Sequence, residues 1–157
     1  MAAAPGGYLR AEVVHMLVKT ILRNKGSQVT TVPPEATVRE LLAALAEHNI
    51  GAVVVSSDGA TITGIVSERD IVRHLHDRGA GVLDLPVSSI MTSEVRTVGM
   101  ADNVEELRKT MTTHRFRHVP VVDEGRLAGI VSIGDVVKSA IEELETEKAS
   151  LVDYLHR

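Results

Sequence analysis

The 157-residue sequence predicts an α+β fold of two β-α-β-β-α units packed about a pseudo-twofold axis. Three observations lead there. One unit is written twice: Gly64-Ile65-Val66-Ser67 returns as Gly129-Ile130-Val131-Ser132, 65 positions on, and Asp70 returns as Asp135. Upstream the spacing is 66, pairing Thr31 with Thr97, Val38 with Val104, Leu41 with Leu107, His48 with His114, Val53 with Val119 and Gly59 with Gly125. Register held over so many positions marks a duplicated structural unit. Second, Ala52–Val55 and Val119–Val122 are apolar runs without alternation, as in strands covered on both faces. Third, each copy carries a helical stripe behind a capping residue.

In order, a short strand opens each copy, expected at Val29–Val32 and Val95–Val98. Thr37-Val38-Arg39-Glu40 and Asn103-Val104-Glu105-Glu106 place a capping residue three positions before a Glu, the pattern of a capping box. Val38, Leu41, Leu42 and Leu45 fall on one helix face, as do Val104, Leu107 and Met111. The apolar strands come next, then a Gly-containing turn and strands at Ile62–Ser67 and Leu127–Ser132. The spacing drops from 66 to 65 in that turn, where insertions are tolerated. A second helix starts after Ser67 and after Ser132. Three strands are too few to bury an apolar face alone, so the copies should pack together.

The boundaries follow: a flexible leader over 1–14, repeat 1 over 15–79, a linker over 80–86, repeat 2 over 87–145 and a C-terminal helix extension over 146–157. The segment from Asp77 to Pro86, with Gly79 and Gly81, reads as loop. Val87-Ser88-Ser89-Ile90-Met91 echoes Val18-Lys19-Thr20-Ile21-Leu22, a lead-in to each copy. Val137, Ile141, Leu144, Leu151 and Leu155 form a heptad-like seam broken by Lys148. It reads either as a stripe covering its own core or as a dimer contact.

Composition removes several function classes. There is no Cys, so disulfides, thiolate catalysis and zinc–sulfur sites are excluded. A net charge of −4 and only three aromatic residues, Tyr8, Phe116 and Tyr154, argue against a nucleic-acid partner. No apolar run reaches membrane-span length, and a soluble cytoplasmic protein is expected. His74 and His76 stand two apart on a helix and point away from each other, so no metal site is expected. Phosphate-loop, dinucleotide and nucleophile-elbow signatures are missing, so no catalytic residue and no enzyme is expected.

The candidate chemistry lies in Gly64-Ile65-Val66-Ser67-Glu68-Arg69-Asp70 and Gly129-Ile130-Val131-Ser132-Ile133-Gly134-Asp135. Each sits where a strand gives way to a helix, whose free N–H groups and dipole attract an anion. The Ser hydroxyl adds a donor, and the Asp can accept from two vicinal sugar hydroxyls. Ser-x-x-Asp is also a helix cap, so the motif alone leaves both readings open. The cluster of His114, Arg115, Arg117 and His118 is likewise a solvated patch or a phosphate contact.

These motifs, together with Thr31, Thr97 and the segment Phe116-Arg117-His118-Val119-Pro120-Val121-Val122-Asp123, resemble the cystathionine-β-synthase (CBS) domain family in tandem over residues 15–145. The resemblance implies a regulatory CBS pair with two clefts that bind adenosine-containing ligands. AMP, ADP and ATP are its usual occupants, with NAD(H) and S-adenosylmethionine less frequent. It also implies a homodimer acting on a separate regulated protein. Family geometry implies crossed pockets. Ser67, Arg69 and Asp70 would join Thr97, Arg117, His118, Val119 and Pro120. Ser132 and Asp135 would join Thr31, Gly51 and Ala52. The second pocket has Gly134 in place of Arg69 and Gly51 in place of Arg117, so the first is expected to prefer the phosphorylated ligand. The alternative is a non-catalytic interaction adaptor with degenerate pockets.

Overall fold

A computed structural model describes residues 15–157; the expected leader over 1–14 lies outside the described residues. Helix α1 spans Val18–Lys25, followed by β1 (Thr31–Val32), α2 (Val38–His48), β2 (Ala52–Val55), β3 (Gly64–Ser67) and α3 (Glu68–Arg78). After two 3-10 turns come β4 (Val98–Gly99), α4 (Val104–His114), β5 (His118–Asp123), β6 (Arg126–Ser132) and α5 (Ile133–Leu155). Two three-stranded sheets result, ordered β1-β2-β3 and β4-β5-β6. In each, the first strand is parallel to the second and the third antiparallel to it.

The capping residues act as the sequence suggests. Thr37 Oγ1 accepts from the Glu40 amide, and the Glu40 carboxylate accepts from the Thr37 amide. Asn103 Oδ1 accepts from the amides of Glu105 and Glu106, without a return bond from the Glu106 side chain. Val38, Leu41 and Leu45 are buried in one core and Val104, Leu107 and Met111 in the other. The central strands are covered as expected: Val53, Val54, Val55, Val119 and Val121 are all buried.

Four expectations need correction. The opening strands are shorter than Val29–Val32 and Val95–Val98, with two paired residues each. Pro33 ends β1 because it has no N–H to donate to a ladder, and Thr97 falls just before β4 instead of inside a strand. The third strand of repeat 1 begins at Gly64, not Ile62, because Asp58 holds the preceding turn. Its Oδ1 accepts from the amides of Ala60 and Thr61 and from the Ser56 hydroxyl. The corresponding turn of repeat 2 is a two-residue hairpin, Glu124-Gly125, with φ of 50° and 76°; two positive φ values suit the twist of a hairpin. The shift in spacing is the difference between these two turns.

The segment from Asp77 to Pro86 is not plain loop. α3 continues through Arg78, and Ala80–Asp84 form a 3-10 turn because Val82 is drawn into the first core. Finally, the seam on α5 does not cover the core. Val136 and Ser139 face inward, and Val137, Ile141, Leu144, Leu151 and Leu155 are all exposed.

The lead-in segments cross. Val18, Ile21 and Leu22 on α1 are buried with the core of the second repeat. Val82, Val87 and Ile90 are buried with the core of the first. Backbone bonds fix both crossings: Val18 N–H donates to the Asp102 carbonyl and Val104 N–H to Met16, while Val87 N–H donates to Ala36 and Val38 N–H to Leu85. This reciprocity is what a pseudo-twofold relation between the halves requires.

Candidate functional site

The two crossings decide the role of the motif glycines. At Gly64 an added Cβ would stand 2.6 Å from Met91 Sδ and 2.9 Å from the Thr92 carbonyl oxygen. At Gly129 it would stand 2.7 Å from Leu22 Cδ1. Met91 and Leu22 are matching positions of the two lead-ins. The glycines therefore serve close approach of the crossed segment, and their φ values are not positive.

Ser67 and Ser132 cap α3 and α5. Asp70 Oδ2 accepts from the Ser67 amide (2.9 Å) and hydroxyl (3.1 Å), and Ser67 Oγ accepts from the Asp70 amide. Asp135 Oδ2 accepts from the Ser132 amide at 2.8 Å. Glu68 N–H donates to the Gly51 carbonyl and Ile133 N–H to the Arg117 carbonyl. At the start of α3 this leaves the Arg69 amide as the free donor of the first three. The helix terminus is thus mostly satisfied internally.

A cleft of about 780 Å³ lies between the halves. It brings together Ser67, Arg69 and Asp70 of the first junction, Ser132 and Gly134 of the second, Gly51 and Ala52 at the start of β2, and Arg117 and His118 at the start of β5. Thr31, Thr97, Val119, Pro120 and Asp135 do not line it. Val119 and Pro120 are buried, Thr31 pairs with Val54 in the first sheet, and Thr97 precedes the second. The cleft reaches into the first junction and to the edge of the second.

The second junction is occupied by the chain itself. Lys25, at the end of α1, places Nζ 2.6 Å from Asp135 Oδ2 and 2.9 Å from the Ile130 carbonyl oxygen. Burial pushes the Asp135 carboxyl up, but the hydrogen bonds from Lys25 and the Ser132 amide outweigh it and hold the group below its ordinary value. Asp70 has no such cation. In both aspartates Oδ1 is without a hydrogen-bond partner among the described residues, so the difference between them is the Lys25 ammonium on Asp135 Oδ2.

Sequence reasoning missed Lys25 because its partner is defined only once α1 crosses to the other sheet. It also missed Arg73, Glu94 and Arg96, which line the cleft. Arg73 was legible, since it stands one helical turn after Arg69.

The cleft walls are strongly cationic. Arg69, Arg73, Arg96, Arg115 and Arg117 line it, against Glu68, Asp70 and Glu94. None of these arginines is in an ion pair among the described residues. Phe116 anchors the wall. Its ring stacks on His114 at 5.6 Å and lies 5.5 Å from the Arg96 guanidinium, a cation–π distance. The His118 ring sits over Gly51, where a Cβ would be 3.5 Å from Cε1. Burial, then the nearby charges of Arg117 and Lys25, hold its pKa below the usual 6.5. Among the described residues no group of His, Asp and Glu is placed to hold a metal ion, and no helix is long and apolar enough to cross a membrane.

Known proteins share this fold. The CBS domain model matches residues 18–77 and 87–142. A mitochondrial CBS domain-containing protein of Arabidopsis thaliana, CBSX3, is 34% identical over 123 residues, which cover 76% of this chain and 60% of the relative, so the chain spans less than two thirds of that protein. The crystal structure of the CBS-domain containing protein ATU1752 from Agrobacterium tumefaciens is similar with a TM-score of 0.77 and 45% identity, covering 80% of this chain and 99% of that one. PAE2072 from Pyrobaculum aerophilum, complexed with AMP, is 32% identical with a TM-score of 0.71 over 83% of this chain and 99% of that one. The CBS pair of MJ0100, in complex with 5′-methylthioadenosine and S-adenosyl-L-methionine, is 26% identical with a TM-score of 0.72 over 82% of this chain and 98% of that one. The chain belongs to the CBS-domain family and carries two CBS domains in tandem.

Proposed function

We propose that this protein is a regulatory module that binds one adenosine nucleotide per chain in the cleft beside Asp70 and transmits occupancy through the relative position of its two repeats. The observation that carries this reading is the inequality of the two junctions. Asp70 lines the open cleft with no cation on its carboxylate, whereas Asp135 does not line it and is engaged by Lys25. A carboxylate with a free oxygen accepts from a pair of ribose hydroxyls, and the neighbouring guanidinium groups take the phosphate. AMP in PAE2072 and S-adenosyl-L-methionine in MJ0100 support an adenosine-containing occupant. Ligand contacts made by both repeats differ between conformations, which is the condition for a shift in their equilibrium.

Calorimetric titration with AMP, ADP, ATP and NADH, repeated on Asp70→Ala and Asp135→Ala, tests the assignment. Loss of a charged hydrogen-bonding group lowers affinity by about 10-fold or more for Asp70→Ala. Asp135→Ala leaves affinity within about threefold, with one site per chain. Equal losses would overturn the inequality. No binding of any adenosine compound to either protein would leave the interaction adaptor as the better reading.

A further inference from the structure

The last helix runs on past the fold it completes. The CBS domain match ends at residue 142, whereas α5 continues to Leu155. The internal repeat shows that the fold does not need this length. At the spacing of 65, Gly79, which ends α3, stands where Leu144 stands in α5, and His76 where Ile141 does. Every residue from Ile141 to Arg157 is exposed. A helical segment this short is marginal in water without packing, so a partner surface must support it.

Val137, Ile141, Leu144, Lys148, Leu151 and Leu155 follow at steps of four, three, four, three and four, the seam of a coiled coil. Exposure is 49% at Val137 and 50% at Ile141, and rises to 65% at Leu144, 63% at Leu151 and 78% at Leu155, so the seam is least covered where it leaves the body. Val152 and Tyr154, also exposed, widen it at the tip. A contiguous apolar surface of this kind marks an interaction site. A membrane surface does not suit it. Helices that lie on anionic lipid carry a cationic polar face, whereas here Glu142, Glu143, Glu145, Glu147 and Asp153 outnumber Lys148 and Arg157.

We infer that α5 pairs antiparallel with α5 of a second copy of this chain, about a twofold axis near Thr146. This register sets Val137 against Leu155, Ile141 against Leu151 and Leu144 against Lys148 across the two helices, so every seam position finds a counterpart. The overlap runs for about 27 Å. Lys148 selects the direction. A parallel pair brings the two Lys148 ammonium groups together at one level of the seam. The antiparallel pair sets each beside a leucine, with Glu145 and Glu147 at the rim to receive its charge. Lys148 and both glutamates are without ion-pair partners among the described residues, so these charges are available to the second copy. The surface lies outside the nucleotide cleft and does not depend on what the cleft holds.

The test is the oligomeric state of the full chain by sedimentation equilibrium, beside the double variant Leu144→Glu/Leu151→Glu. Both positions are exposed, so the two cores are untouched, and a cooperative melting transition verifies it. The native chain is expected to be a dimer at micromolar concentration, and the variant a monomer with Kd raised about 100-fold or more. Lys148→Leu should tighten the dimer, since a polar residue at such a position costs stability. Direction is read from a spin label at Arg157→Cys, which is unique because the chain has no other Cys. Antiparallel helices hold the two labels about 30 Å apart or more, and parallel ones hold them side by side, about 20 Å apart or less. A monomeric native chain, or a dimer that survives the double variant, overturns the assignment of this surface. Labels side by side overturn the antiparallel pairing.

Discussion

Lys25 and Asp135, 110 residues apart in sequence, join the first helix to the last through a 2.6 Å ammonium–carboxylate contact. The pair is partly buried and worth about 1 kcal/mol at neutral pH. Lys25→Met should lower stability by that amount. Because the folded carboxyl is held below its ordinary 3.8, this stability is present above that value and lost as pH falls through the folded one. Urea denaturation of both proteins should therefore show a difference at pH 7 that disappears in acid below 3.8.

The two motif glycines make a separate prediction. Gly64→Ala must displace Met91 and a backbone carbonyl, and Gly129→Ala must displace the flexible end of Leu22. Overpacking of this kind costs about 1–3 kcal/mol, with Gly64→Ala at the upper end because backbone yields less than a side chain. Adding Leu22→Ala to Gly129→Ala should relieve the clash without restoring full stability. Equilibrium denaturation checks the order.

His118 makes the fold sensitive to mild acid. Its folded pKa lies below 6.5, so the unfolded chain takes up a proton first as pH falls. Stability is full above 6.5 and declines from there toward the folded value. His118→Ala, which installs the residue found at Ala52 in the other repeat, should flatten this slope. Denaturation midpoints of both proteins at roughly pH 7.5 and 5.5 measure it.

Arg115→Gly should stabilise the unliganded protein by about 0.5–1 kcal/mol, because glycine accepts φ 57° without steric cost. The same change should weaken binding of the adenosine nucleotide, because Arg115 lines the cleft. A raised melting temperature alongside a raised Kd is the outcome to seek.

Much of this architecture is legible in the chain. The spacing of 65 and 66 residues locates both sheets, and Thr37, Ser67 and Ser132 mark their helix starts because a cap is a local event. Ser67, Arg69, Asp70, Arg117 and His118 could be grouped because the family resemblance implies that the junction of one copy faces the strands of the other. What local pattern does not carry is the destination of a connecting segment. Nothing near Val18 says that α1 lands on the second sheet, and without that landing Lys25 looks like one more exposed cation. The α5 seam misses as a core cover for a similar reason. Its apolar period is helical, but which side meets the core is settled by Val136 and Ser139, one step round the helix.

The exchange of lead-in segments bears on how such a molecule assembles. Two separate chains of one repeat each could satisfy the same contacts only by trading arms, and their folding would then depend on concentration. Joined in a single polypeptide, the trade is intramolecular. Severing the chain near Gly79 would strand each half without the segment that seals its core, so the fragments should recover the native fold only when mixed.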